Sequence, residues 1–165
     1  NNLLHGGEHE RNRRAGTENV AGIVGLGKAA EIAHRTLEQK SAHITQLAEL
    51  LRQGLLNRIE KVFDNSPPNC HERIPGIVSL VFTDVSAENL ILRLDMEGIC
   101  VSSGSACASG SMEPSHVIAQ LGINAELAQS TVRFSVGHTN TVSEIETTIE
   151  IVSRVVSQIR ALKLA

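Results

Sequence analysis

This sequence predicts an α/β chain, more closely an α+β domain in which a small sheet is covered by helices. Three observations carry that expectation. Segments of helical and strand period follow one another as helix-strand-helix-strand-helix-strand-helix. Gly and Pro residues fall between those segments, where chain reversals belong. The 165 residues are 41% hydrophobic and 20% charged, the make-up of an ordinary globule, but include no Trp or Tyr and only three Phe. The core is therefore expected to be aliphatic.

Residues 1–16 are polar, glycine-bearing and basic, and are expected to form a loop. Thr17 has the character of a helix N-cap, with Glu18 in the first turn, where a carboxylate complements the helix dipole. Gly22, Gly25 and Ala29 then fall at helical spacing, a small-residue stripe suited to close approach of another backbone. From residue 36 the apolar positions Ile44, Leu47, Leu51, Leu55 and Ile59 recur at helical period, and the helix should end near Glu60.

Phe63 to Glu72, with Pro67-Pro68, is expected to be a connection, and the β-branched run Ile77 to Phe82 a strand. Ala87 to Glu97 returns to helical period and Gly98 closes it. A short strand, Ile99 to Val101, then delivers the chain into Ser102-Ser103-Gly104-Ser105-Ala106-Cys107-Ala108-Ser109-Gly110-Ser111. Pro114 should open a further helix that Gly122 ends. Thr131 to Val136 is the last expected strand and Val142 to Leu162 the last helix.

Composition narrows the function classes. The net charge is −3, and without a basic run or basic-aromatic interleaving it argues against nucleic acid as a partner. No apolar run approaches the roughly 18 residues of a membrane span. With no secretory signal pattern either, the expected location is cytoplasmic. Cys70, Cys100 and Cys107 form no C-x-x-C pair, which supports neither a disulfide framework nor a four-ligand zinc site. His5 and His9 bracket a Gly-Gly pair that disfavours the helix a two-histidine metal site would need, so no metal is expected.

Two residues attract a chemical reading. Cys107 sits among Ser, Gly and Ala, on a stretch where a thiolate can be reached; it is either a nucleophile or a loop thiol without a role. Cys100, in an apolar run, is expected to be buried filler. In Thr131 to Val136 the alternation puts Arg133 on the face opposite Val132, Phe134 and Val136, flanked by small polar residues. Arg133 there serves a structural ion pair, which spacing alone favours, or a docked carboxylate.

Several segments, in order, are similar to cysteine desulfurases of the NifS/IscS type, pyridoxal-phosphate enzymes of fold type I and aminotransferase class V. They are His5-Gly6-Gly7-Glu8 through Arg14-Ala15-Gly16-Thr17, Asp95 to Val101 leading into Ser102-Ser103-Gly104-Ser105-Ala106-Cys107, Met112-Glu113-Pro114-Ser115, and Thr131 to Gly137. The S-S-G-S-A-C segment resembles the branch with the longer cysteine loop.

The resemblance implies a site. Cys107 would take sulfur from L-cysteine as a persulfide, leaving L-alanine, and Arg133 would hold the substrate carboxylate. Thr17 would donate to the cofactor phosphate of a partner subunit, implying a homodimer. The persulfide would pass to an iron–sulfur scaffold or a tRNA-thiolation carrier. It also implies that residues 1–35 close a large domain and begin a linker helix, while 36–165 form the small C-terminal domain with the cysteine loop 102–111.

One departure is large. The family's cofactor-lysine segment, S-x-H-K-x-x-G-P-K-G, has no counterpart, and Lys28, Lys40, Lys61 and Lys163 lie in other contexts. The chain thus resembles the C-terminal part of a longer enzyme and is expected to bind no pyridoxal phosphate and to be inactive alone. A natural short sulfur carrier or interaction module on the same fold is the alternative. A thiol-redox protein would need a resolving cysteine partner.

Overall fold

In the computed structural model, residues 4–69, 72–103, 118, 120 and 122–164 can be described. The chain divides into two compact units, Asn1–Glu38 and Gln39–Ala165. Helix α1, Val20–Arg58, runs through both, continuous over 39 residues despite its glycines.

In the first unit the expected cap is corrected. Thr17 is not the N-cap; the side-chain Oδ1 of Asn19 accepts from Gly22 N at 3.0 Å, and Ile23 N bonds Asn19 O at 2.9 Å. Thr17 and Asn19 both have cap chemistry, and the residue whose oxygen reaches the third amide onward wins. Val20 and Leu26 on this part of α1 are 65% and 73% exposed.

The second unit holds β1 (Val62–Asp64), β2 (Ile77–Phe82), α2 (Ala87–Met96), α3 (Ala125–Ala128), β3 (Thr131–Ser135) and α4 (Val142–Leu164). Its strands form one antiparallel sheet in the order β1-β2-β3. Val78, Leu80, Phe82, Val132 and Phe134 line one face and pack with Leu51 and Leu55 of α1, Leu90 and Leu94 of α2, and Val152 and Val156 of α4. The aliphatic core is as expected, with Phe82 and Phe134 meeting at a 6.3 Å centroid separation. Helices α1 and α4 approach closely at Gly54, where a Cβ would collide with Ile149.

Turn chemistry positions the sheet. Gly76 has φ +85°, and a Cβ there would strike the carbonyl of Val136, whose own amide bonds Gly76 O at 2.8 Å. Gly98, at φ +79°, ends α2 as expected, with Ile99 N bonding Leu94 O at 2.9 Å. At the other end of α2, Ser86 Oγ accepts from Asn89 N.

Several expectations are corrected here. Val62–Asp64 is an edge strand, not part of a connection: Phe63 pairs with Val81 while its ring stays 56% exposed. Helix α3 was not anticipated; Asn124 Oδ1 caps it from Leu127 N at 2.8 Å. Ile99 to Val101 forms no strand; the pairing starts at Ser102, as an isolated bridge to Arg133. β3 stops at Ser135, one residue short of the expected Val136, although the Val136 amide still bonds the carbonyl of Gly76, its in-register partner. The helix expected from Pro114 lies mostly outside the described residues. No helix among the described residues is long and apolar enough to cross a membrane.

Candidate carboxylate site on the polar face of the sheet

β3 has a two-residue period, so Val132 and Phe134 face the core while Arg133 and Ser135 face the other way. Thr131 also faces away from the core but is buried, its hydroxyl donating to Leu127 O at 3.1 Å. Direct partners in an antiparallel pair put their side chains on the same face. Arg133 is opposite Ser79 of β2 on one side and Ser102 on the other. The result is a row across the sheet, Ser79–Arg133–Ser102, with the guanidinium chain in the middle.

Both neighbours are held firmly. Ser102 N donates to Arg133 O at 3.1 Å and Arg133 N to Ser102 O at 2.7 Å, a complete reciprocal pair. Val101, one residue earlier, packs on the core cluster, which fixes Ser102 on the polar face by alternation. On the other flank, Asn65 N bonds Ser79 O at 3.0 Å and its side-chain amide reaches Ser79 Oγ at 3.5 Å.

Arg133 is half-buried and, among the described residues, has no ion-pair partner. Its Nε is buried and without a hydrogen-bond partner, and so is Ser102 Oγ. This is not what a structural arginine in this molecule looks like. Arg52 pairs with Glu49 and with Asp64 at 3.0 Å. Arg73 lies 3.7 and 3.8 Å from the same two carboxylates. The Arg52 guanidinium, hydrogen-bonded to Glu49, holds that carboxyl down at about 2 against the opposing effect of desolvation. Arg160 is spent on carbonyls, donating to Glu60 O at 2.9 Å and Thr83 O at 2.8 Å. A guanidinium with a planar fork of donors and no acidic neighbour is suited to an incoming carboxylate.

Cys107 lies outside the described residues, as does Cys70. Cys100 is exposed, which corrects the expectation of buried filler. Ile99 and Val101 turn toward the core, so the residue between them points out. Thr17 is exposed in the first unit, and its carbonyl accepts from Arg14 Nη1 at 3.4 Å. Thr17 and Arg133 belong to different units. His9 Nδ1 lies 3.6 Å from Glu18.

Residues 4–148 match the aminotransferase class-V family. The chain belongs to that family. It is 42% identical over 161 residues to the cysteine desulfurase IscS of Clostridium botulinum, matching 98% of this chain and 41% of that protein. To the cysteine desulfurase IscS of Dictyoglomus turgidum it is 39% identical over 160 residues, 97% of this chain and 40% of that protein. The crystal structure of a NifS-like protein from Rickettsia africae superposes with a TM-score of 0.75 at 31% identity, covering 94% of this chain and 39% of that one. The small helix-covered sheet is thus the fold found in part of NifS-like enzymes. The chain spans about 40% of the length of these curated relatives.

The family implies pyridoxal phosphate, and the described residues do not make a bed for it. Lys28 Nζ is paired with Glu31 at 2.9 Å, while Lys61 and Lys163 reach Asp84 at 3.5 and 3.7 Å. The remaining lysine, Lys40, lies on α1. Each of the paired amines is engaged on the surface with a carboxylate, away from the Ser79–Arg133–Ser102 row in sequence and in hydrogen bonding.

Proposed function

We propose that this chain is the substrate-anchoring and sulfur-accepting part of a cysteine desulfurase. The observation that carries the reading is Arg133: a half-buried arginine on the polar sheet face, without an acidic partner among the described residues. It is bridged through its backbone to Ser102, the residue that opens the Cys107 segment. In this reading Arg133 clamps the L-cysteine carboxylate with two parallel N–H donors, and the substrate thiol is presented to Cys107.

The sulfur transfer balances as follows. The Cys107 thiolate attacks the substrate sulfur, forming an S–S bond as the substrate Cβ–Sγ bond breaks. The carbon takes up a proton and leaves as L-alanine, and Cys107 is left as a persulfide. The electron pair of the breaking bond needs an acceptor, the chemistry that pyridoxal phosphate supplies. None of the four lysines stands in the family's cofactor-lysine context, so the chain alone is expected to be inactive. Thr17 would contribute to the cofactor phosphate in the partner subunit of a homodimer. The persulfide would pass to an iron–sulfur scaffold or a tRNA-thiolation carrier.

The test is a chimera in which this chain replaces the matching part of the Clostridium botulinum relative. Alanine should form from L-cysteine. Arg133→Ala should raise KM about tenfold or more, the cost of losing a charge-assisted bidentate pair. Cys107→Ala should abolish turnover. A cofactor-loaded chimera that turns over equally well without Cys107 would remove the reading.

A further inference from the structure

Two buried polar groups on this face lack partners among the described residues, and they stand on paired positions. Arg133 Nε is a donor and Ser102 Oγ is able to accept; each is buried, and neither has a hydrogen bond. Buried groups of this kind are rare in folded proteins, because an unmade hydrogen bond leaves the full desolvation cost uncompensated. A reciprocal antiparallel pair holds its Cα atoms about 5.5 Å apart with both side chains on one face. The backbone bonds of 3.1 and 2.7 Å show that Ser102 and Arg133 form such a pair. On the opposite flank, Ser79 already has Asn65 at 3.5 Å, so the free hydroxyl is the one on the Ser102 side.

We propose that Ser102 is the positioning residue for Arg133. Its hydroxyl accepts from Arg133 Nε–H and sets the plane of the guanidinium, so that the two Nη groups face a carboxylate. Rotation about Ser102 χ1 and adjustment of the arginine chain would make that bond and satisfy both groups. Threonine could supply the same oxygen at position 102; alanine could not. The inference rests on the reading of Arg133 as a carboxylate anchor, and it adds the residue that aims it.

The experiment uses the 15N-labelled chain, following the arginine Nε–H resonances with L-alanine as the carboxylate probe. Arg133 Nε–H should exchange with solvent at least tenfold more slowly than that of the exposed Arg13. Ser102→Ala should remove that protection and weaken L-alanine binding about tenfold, the worth of one charge-assisted hydrogen bond. Ser102→Thr should restore both. Exchange at Arg133 as fast as at Arg13 in the unsubstituted protein overturns the inference without any variant, which covers the case of a Ser102→Ala chain that does not fold. Equal protection and affinity in the alanine variant overturns it as well. If Arg133 is protected in a Ser102-dependent way but L-alanine does not bind, the contact stands and the carboxylate reading of Arg133 fails.

Discussion

Arg133 and Arg52 show how one residue type takes two roles on one scaffold. Arg52 sits among Glu49, Asp64 and the neighbouring Arg73, its charge matched on several sides. Arg133 has serine neighbours and no carboxylate among the described residues. The Arg52 cluster carries a pH signature. Glu49 titrates at about 2 in the folded chain against 4.5 ordinarily, so its carboxylate form is favoured by folding. That contribution is complete above pH 4.5 and is lost as pH falls toward 2. Glu49→Gln should therefore lower the denaturation midpoint at pH 7, and the difference from the unsubstituted protein should vanish near pH 2 in urea titrations. A difference that persists unchanged at pH 2 would contradict the pairing. Arg133 was legible at this scale, because strand alternation and small polar flanks are local. Ser102 was not legible as its neighbour: the bridge joins positions far apart in sequence, and only the fold brings them side by side.

At the scale of elements, glycine separates positions that need it from those that do not. Gly76 has both a positive φ and a carbonyl where a Cβ would go. Gly76→Ala should destabilise the chain by about 2 kcal/mol or more, combining left-handed strain with overpacking. Gly25, in mid-helix with open space around it, should behave oppositely. Gly25→Ala should stabilise by about 0.5–1 kcal/mol. Thermal unfolding of the two variants checks both signs, and matching losses would refute the distinction. The same contrast explains what could be read from the sequence. Helix α2 was legible because its period and the closing Gly98 agree. β1 was hidden because an edge strand of three residues with an exposed Phe63 carries almost no alternation. The α1 cap was displaced from Thr17 to Asn19 because neighbouring residues offered equivalent oxygens.

For the whole molecule, the sheet presents an apolar face that builds the core and a polar face that carries the Ser79–Arg133–Ser102 row. The first makes the fold stable, and the second leaves a cation without a carboxylate partner among the described residues, from which the substrate-binding reading follows. Three of the four lysines are committed to carboxylates, Lys28 to Glu31 and both Lys61 and Lys163 to Asp84. In the proposed reading the electron sink is pyridoxal phosphate, and these amines pair with carboxylates instead of serving it. Sulfur acceptance by this chain is decided by mass spectrometry of the Cys107-containing peptide from the chimera, after brief exposure to L-cysteine and alkylation without reductant. One added sulfur atom is expected on Cys107, lost on treatment with a thiol and greatly reduced by Arg133→Ala. An active, alanine-producing chimera whose Cys107 peptide gains no sulfur would contradict it.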